Sequence, residues 1–425
     1  MYSQIVMHIL FLTDNFPPEV NAPASRTFEH CCEWVKAGHQ VTVITCAPNF
    51  PIGKVYDGYR NKLYQSEEIE GIHVIRVWSY ITANSGFNRR ILDYLSFMSS
   101  AILGSFLVRK ADIVIGTSPQ FFTACATYFV SRFKRIPFVF ELRDIWPESI
   151  KAVGAMNDST ILKVLEEIEL FLYNKADLIV TVTHSFKKNL SDRNISSDKI
   201  HVITNGVDSA RFRPQPKDPE LIGRYRLKDK FVAGYVGTHG MAHHLETLLE
   251  TALLAQKNDD NFVFLFLGNG ARKAALIKKA QDMALNNVIF IDSVRKSEVM
   301  RYWSVLDVSI IHLRNTPIFS SVIPSKLFEC MAMGIPVVHG VRGESADIVR
   351  AGNVGITVEP ENPTETYQSL VDLCAGADFY KKLKHNGLVY AKKFDRKALA
   401  FDMLELLKKQ VQSSAKQPIK TFPVQ

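Results

Sequence analysis

The sequence predicts an α/β protein made of two Rossmann-like doubly wound domains facing each other across a cleft. Three observations lead there. The 425 residues, 47% of them hydrophobic, suffice for two domains with separate cores. Continuous apolar runs of strand length alternate with helical patterns, as strands buried on both faces of a parallel sheet require. The rhythm stops in a Pro-, Arg- and Lys-rich stretch from Asp208 to Asp229 and restarts at Phe231.

Taken in order, Met7 to Thr13 reads as the first strand. The loop NFPPEVNAPASR follows, then a helix from about Thr27 to Ala37, Gly38, and a second strand from Val41 to Thr45, which together make a βαβ unit. Further strands are expected at His73 to Val77, Ile113 to Gly116, Phe138 to Glu141, Leu178 to Val182 and His201 to Ile203. The second half places strands at Ala233 to Val236, Val263 to Leu267, Val288 to Ile291, Val308 to His312, Val337 to Val338 and Ile356 to Val358. The expected domains are residues 1–207 and 230–396, joined by a hinge over 208–229. A C-terminal helix over 397–411 packs back on the first domain in this reading, and 412–425 form a polar tail. Open α/β sheets bind ligands beyond the carboxyl ends of their strands, so the loops after Thr13, Glu141, Val236, Leu267, Ile291 and His312 are expected to face the cleft.

Composition narrows the function. There are 51 Lys and Arg against 43 Asp and Glu, a formal charge of +8 that suits an anionic membrane surface or phosphate-bearing substrates. No long basic stripe with interleaved aromatics marks a nucleic-acid surface. Six scattered cysteines show neither zinc spacing nor a disulfide framework, which fits a reducing cytoplasm, and the N-terminus carries no secretion signal. Tyr94 to Val108 is apolar and flanked by Arg89, Arg90, Arg109 and Lys110, too short to span a bilayer, which needs about 20 apolar residues. It reads either as a core helix or as a helix at a membrane surface, and Phe121 to Phe133, closed by Arg132, Lys134 and Arg135, has the same character. Peripheral membrane contact through Leu92 to Lys110 and its neighbours is the expectation.

Five stretches carry the chemistry. The most informative is IPSKLFECMAMGIPVVHG, Ile323 to Gly340, which reads as loop, helix, turn and strand. Lys326 and Glu329 share one helical face near the N-terminus, where free N–H groups favour an anion. Lys326 suits a phosphate, and the two oxygens of Glu329 suit paired ribose hydroxyls, although a surface ion pair would leave the same pattern. HVITNGVD, His201 to Asp208, is a strand running into a turn at Asn205 and Gly206. GTHGMAHHL, Gly237 to Leu245, and LGNG, Leu267 to Gly270, each follow a strand and open a helix. ELRDIWP, Glu141 to Pro147, ends a strand of the first half.

In this order and at these spacings, over nearly the whole chain, these stretches resemble the glycosyltransferases of family 4, two-domain enzymes of the GT-B fold that transfer a sugar from a nucleotide donor. The resemblance implies that Glu329 binds the donor ribose and that Gly237, Thr238, Gly240, His243, Gly268, Val294, Ile323, Pro324, Ser325, Lys326 and Leu327 surround the nucleotide sugar. The chain also departs from the family pattern. Ser321 stands where a second Glu contacts the transferred sugar, and Thr238 and His243 stand where an Arg and a Lys grip the diphosphate. Asn21 and Ala22 replace two glycines of the first loop. Lys326 is therefore the expected cation, with Arg143 and Asp144 as further catalytic candidates and Asn21, Arg26 and Asn205 for the acceptor or domain closure.

NFPPEVNAPASR, ELRDIWP and IPSKLFE resemble a subgroup of bacterial surface-polysaccharide transferases that includes N-acetyl-L-fucosamine transferases of O-antigen assembly. The implied donor is a UDP-sugar. The implied acceptor is a lipid-diphosphate-linked saccharide at the cytoplasmic face of an anionic membrane. No cofactor is expected, and without an Asp-x-Asp motif the transfer is expected to be metal-independent; the resemblance also implies retention of anomeric configuration. Two other readings share the fold: a non-catalytic partner subunit, and a non-hydrolysing UDP-sugar 2-epimerase.

Overall fold

A computed structural model describes residues 6–50, 53–82, 87–118, 120–145, 160–258, 261–295 and 297–416. Trp146 and Pro147 of the ELRDIWP stretch and the tail beyond 416 lie outside the described residues. The chain forms two compact units, one of Met1–Thr204 with Arg396–Gln425 and the other of Asn205–Asp395.

The first unit is built on an eight-stranded sheet. Its strands are β1 (His8–Leu12), β2 (Gln40–Cys46), β3 (Tyr64–Ile69), β4 (Ile72–Val77), β5 (Ile113–Thr117), β6 (Phe138–Leu142), β7 (Leu178–Thr181) and β8 (Ile200–Val202), in the order β3-β4-β2-β1-β5-β6-β7-β8. All pairs are parallel except β3 with β4. The central strands are buried on both faces, which is why they read as unbroken apolar runs. β3 has no counterpart in the sequence reading. Its residues, YQSEEI, are polar and only half-buried at best, and it is held as an edge strand by a two-residue turn at Glu70 and Gly71, both at positive φ.

The second unit has six parallel strands, β9 (Phe231–Val236), β10 (Phe262–Leu267), β11 (Val288–Ile291), β12 (Val308–His312), β13 (Val337–Gly340) and β14 (Gly355–Thr357). Their order, β11-β10-β9-β12-β13-β14, is that of a dinucleotide-type sheet with its switch point between β9 and β12. The first sheet reverses in the same way between β1 and β5.

Three boundaries differ from expectation. The first helix spans Ala22–Lys36, five residues earlier than its apolar pattern indicates, because the Asn21 side chain accepts from Ala24 N–H and Pro23 sits in the first turn. Residues 208–229 are not a bare hinge. They belong to the second unit and bury Phe212, Leu221 and Leu227 in its core. The C-terminal helix runs over Arg396–Lys416, beyond the expected end at 411. It belongs to the first unit, where Leu399, Met403, Leu404 and Leu407 are buried and Trp34 Nε1–H donates to the Ala400 carbonyl at 2.8 Å.

Candidate functional site

The loops at the switch point of the second sheet carry the candidate site. Gly237 and Gly268 follow β9 and β10 with φ of +142° and +148°. A Cβ on Gly268 would stand 1.9 Å from the Gly237 carbonyl oxygen, so glycine is what lets the two loops touch. Gly237 N–H donates to Leu267 O and His239 N–H to Asn269 O, each at 2.9 Å, which closes the floor of the site.

The helix Lys326–Met333 ends at Gly334, which has φ of +65°. Leu327, Phe328 and Met331 anchor it in the core, and Lys326 is thereby directed at Gly237. Lys326 Nζ lies 2.8 Å from the position a Gly237 Cβ would take and 3.7 Å from the Tyr235 ring centroid. The ammonium is buried and has no hydrogen-bond partner among the described residues. Burial brings its pKa down to about 7, with Cys330 and Glu329 acting the other way. Two histidines share this environment. His239 is fully buried, with ring contacts to Tyr235, Phe266 and Phe290 and no partner among the described residues for either nitrogen. Burial, then Lys273 and Lys326, lower its pKa to about 4, and His243, 5.9 Å from the Tyr235 ring, is lowered to about 3 by burial and Lys326. Both are neutral at pH 7, each offering one N–H.

His312 holds this loop in place. Glu361 N–H donates to its Nε2 at 2.8 Å, which puts the ring proton on Nδ1, and Nδ1–H donates to the His243 carbonyl at 2.8 Å. A buried ammonium and two neutral imidazoles therefore surround Tyr235 with donors that no described residue uses. That is the chemistry of an anion site, and a phosphate group would satisfy it.

The remaining expected residues of this unit fall in different places. Thr238 is exposed, and its carbonyl accepts from Tyr235 Oη–H at 2.8 Å. Gly240 precedes the short turn Met241–His243. Ser325 and Glu329 are half-buried on the same helical stretch as Lys326, and Pro324 O accepts from Leu327 N–H at 3.0 Å. Ile323 and Leu327 are a correction: their side chains belong to the core, so only their backbone can serve a ligand. Val294 is half-buried against the same core. Asn205 opens the unit just before Val207, whose N–H donates to Phe394 O. Sequence reasoning weighed His243 and passed over His239. The only signal was its position between two glycines after a strand, and burial beside Lys326 is not visible in that pattern.

In the first unit, Arg26 is buried and spent on structure. Its Nε donates to Glu141 at 2.9 Å, and its other nitrogens donate to the Thr204 and Ile203 carbonyls at 2.6 and 2.9 Å. Expected for the acceptor or domain closure, the guanidinium is instead engaged in ties from the first helix to the ends of β6 and β8. Ser118 Oγ accepts from the backbone N–H of Arg143 and Asp144 at 2.7 and 3.1 Å, which fixes the loop after β6. Arg143 donates to Pro23 O at 3.2 Å, while its Nε is buried with no partner among the described residues. Burial lowers its pKa to about 10 against the pull of Glu141. Asn21 is held at the helix start and donates to Asn15 Oδ1 at 2.5 Å.

Residues 24–211 match the family model described as glycosyltransferase family 4, and residues 230–376 match that of the glycosyl transferases group 1. A protein of Escherichia coli K12 named as a colanic acid biosynthesis glycosyl transferase, WcaI, is 26% identical over 77% of this chain and 82% of its own length. A teichuronic acid biosynthesis glycosyltransferase by name, TuaH of Bacillus subtilis, is 26% identical over 58% of this chain and 62% of its own. Among solved structures, Anabaena HepE in complex with UDP and glucose superposes with a TM-score of 0.72 at 15% identity, covering 95% of this chain and 99% of that one.

Proposed function

The chain belongs to the family 4 glycosyltransferases of the GT-B fold, and from that premise we propose that it transfers a sugar from a UDP-sugar to a lipid-linked saccharide during assembly of a surface polysaccharide. The observation that carries this reading is the buried ammonium of Lys326 at the switch point of the second sheet, which has no hydrogen-bond partner among the described residues. Sugar transfer needs the departing diphosphate to be stabilised as its charge develops, and fixed donors in a water-poor site do this best. Lys326 supplies the charge, His239 and His243 supply neutral N–H donors, and Glu329, three residues along the same helix, takes the ribose hydroxyls. A diphosphate beside Lys326 raises its pKa again, so donor binding is accompanied by proton uptake. These donors do the work of a metal, and the transferred sugar is an N-acetylated deoxyhexosamine such as N-acetyl-L-fucosamine.

The test is a thermal-shift panel in chelator with UDP, GDP, dTDP and CMP. A ligand that binds the folded state raises its melting temperature as RT ln(1 + [L]/Kd). UDP is expected to stand out, and Glu329→Ala is expected to weaken it about tenfold or more, since hydrogen bonds to a charged acceptor contribute about 1.5–3 kcal/mol each. Equal shifts in wild type and variant would remove Glu329 from the site. Absence of any nucleotide shift would favour the non-catalytic partner subunit, and interconversion of UDP-sugar epimers without acceptor would favour the epimerase.

The lipid side of the reading rests on the first unit. Among the described residues no helix is long and apolar enough to cross a membrane. The helices Phe87–Ser105 and Phe121–Lys134 and the turn after the first instead leave Leu103, Phe106, Leu107, Phe129 and Phe133 exposed, with the rings of Phe106 and Phe133 4.5 Å apart. Arg109, Lys110, Arg132 and Arg135 are exposed around them. On the helix Thr160–Lys175, Ile161, Val164, Ile168 and Phe171 repeat along one face and are exposed too. An apolar band with a cationic fringe suits peripheral binding to the anionic cytoplasmic leaflet. Co-sedimentation with anionic vesicles is expected to exceed that with neutral ones and to fall in Phe106→Ser/Phe133→Ser; equal binding to both would sink the membrane assignment.

A further inference from the structure

At the switch point of the first sheet, loops after β1, β2 and β5 and the helix Phe87–Ser105 enclose a cavity of about 250 Å³. Small-molecule sites usually run from about 300 Å³ upward, so this one has room for a single ring. Among the described residues its wall carries three carboxyl side chains, Asp14, Glu19 and Asp93, against one guanidinium, Arg90, and adds the rings of Phe50 and Tyr94. Glu19 decides what the cavity wants. It is only 4% exposed, and its Oε1 accepts from Asn49 N–H and Phe50 N–H at 2.8 and 2.9 Å. Its Oε2 is buried with no partner among the described residues. A buried carboxyl oxygen left without a donor is costly, and a hydroxyl entering the cavity would recover that cost.

A metal ion is a poor occupant, because no group of three His, Cys, Asp or Glu among the described residues is arranged to hold one. An anion would meet three carboxyls and one cation. Resting on the transferase reading above, we infer that this cavity holds one sugar ring of the acceptor and selects a ring without negative charge. Its hydroxyls donate to Glu19, Asp14 and Asp93, and its apolar face lies against Phe50 or Tyr94. Burial pushes the carboxyls of Glu19 and Asp93 up to about 7 and that of Asp14 up to about 6. Part of each population is then protonated at neutral pH and can donate to a sugar oxygen as well as accept.

The test is ligand-observed saturation-transfer NMR on the full chain with a panel of methyl hexosides and their matching hexuronides. The same samples are tested for nucleotide-induced thermal shift. At least one neutral hexoside is expected to bind about tenfold or more tighter than its uronide, since like charges facing each other in a site are strongly disfavoured. Glu19→Gln keeps one oxygen for the two backbone donors and turns the other atom into a donor. Asp93→Asn removes a charge elsewhere in the wall. Either is expected to bring uronide binding to within about threefold of the neutral ring. Wild-type protein that binds hexosides and uronides alike, or binds no sugar while its nucleotide shift persists, overturns the inference but leaves the transferase reading standing. Loss of the nucleotide shift in the wild type overturns both.

Discussion

Lys326→Met is expected to lower donor-dependent transfer by about 10²–10³ while raising the melting temperature of the nucleotide-free protein. The two effects share one cause. Lys326 places an ammonium in a buried site with no hydrogen-bond partner among the described residues, where its pKa has fallen from 10.5 to about 7. A base whose folded pKa is depressed loses stability as pH falls from the unfolded value, and the loss is nearly complete at pH 7. The shift corresponds to about 4 kcal/mol at neutral pH. Met keeps the apolar stem and removes the charge, so the fold is relieved. Removing a fixed donor aimed at developing negative charge typically lowers kcat by about 10²–10³. The UDP-induced thermal shift should shrink in parallel. A variant that melts no higher than wild type, or that retains transfer, would show that Lys326 is not an anion site held ready at the expense of stability.

The second unit is expected to open before the first on acidification from pH 7.5 to 5. His239, His243 and His339 are lowered to about 4, 3 and 3, chiefly by burial and then by Lys273, Lys326 and Arg350 respectively. Folded pKa values below the unfolded 6.5 mean that stability is full above about 6.5 and is lost as pH falls toward the folded values. At pH 5 each contributes a loss of about 2 kcal/mol. His312 moves the same way, and protonating it would break the contact from Glu361 N–H. In the first unit His30, His8, His39 and His201 are also lowered, chiefly by burial, but Asp14, Glu19 and Asp93 act in the opposite sense and offset them. A carboxyl whose folded pKa is raised costs stability at neutral pH and returns it as pH falls through about 7 to 4. Hydrogen exchange, corrected for intrinsic rates, should show protection of β9, β10 and β12 falling more than that of β1, β2 and β5. The reverse order would contradict the buried, neutral state of these histidines.

The legibility of this chain in its sequence follows from burial. Strands covered on both faces have to be continuous apolar runs, so β1, β2, β5, β9, β10, β12 and β13 could be read, and their spacing implied two doubly wound sheets. β3 escaped because an edge strand needs only a partner's backbone and a turn, not apolar residues. The start of the first helix escaped because Asn21 and Pro23, rather than its apolar face, define it.

At the candidate site, residue types and order single out Lys326, Glu329, His243 and the glycines of the two loops as groups that the proposed recognition of phosphate and ribose would use near a helix start. Tertiary structure alone decided which are available. Arg26 and Leu327 match the pattern yet are spent on packing and internal hydrogen bonds, whereas His239, a bland residue in sequence, is buried beside Tyr235 with both nitrogens unused among the described residues. Chemistry at a position depends on which donors its neighbours have already taken, and those neighbours are brought together by the sheets from loops as far apart in sequence as Gly237 and Lys326.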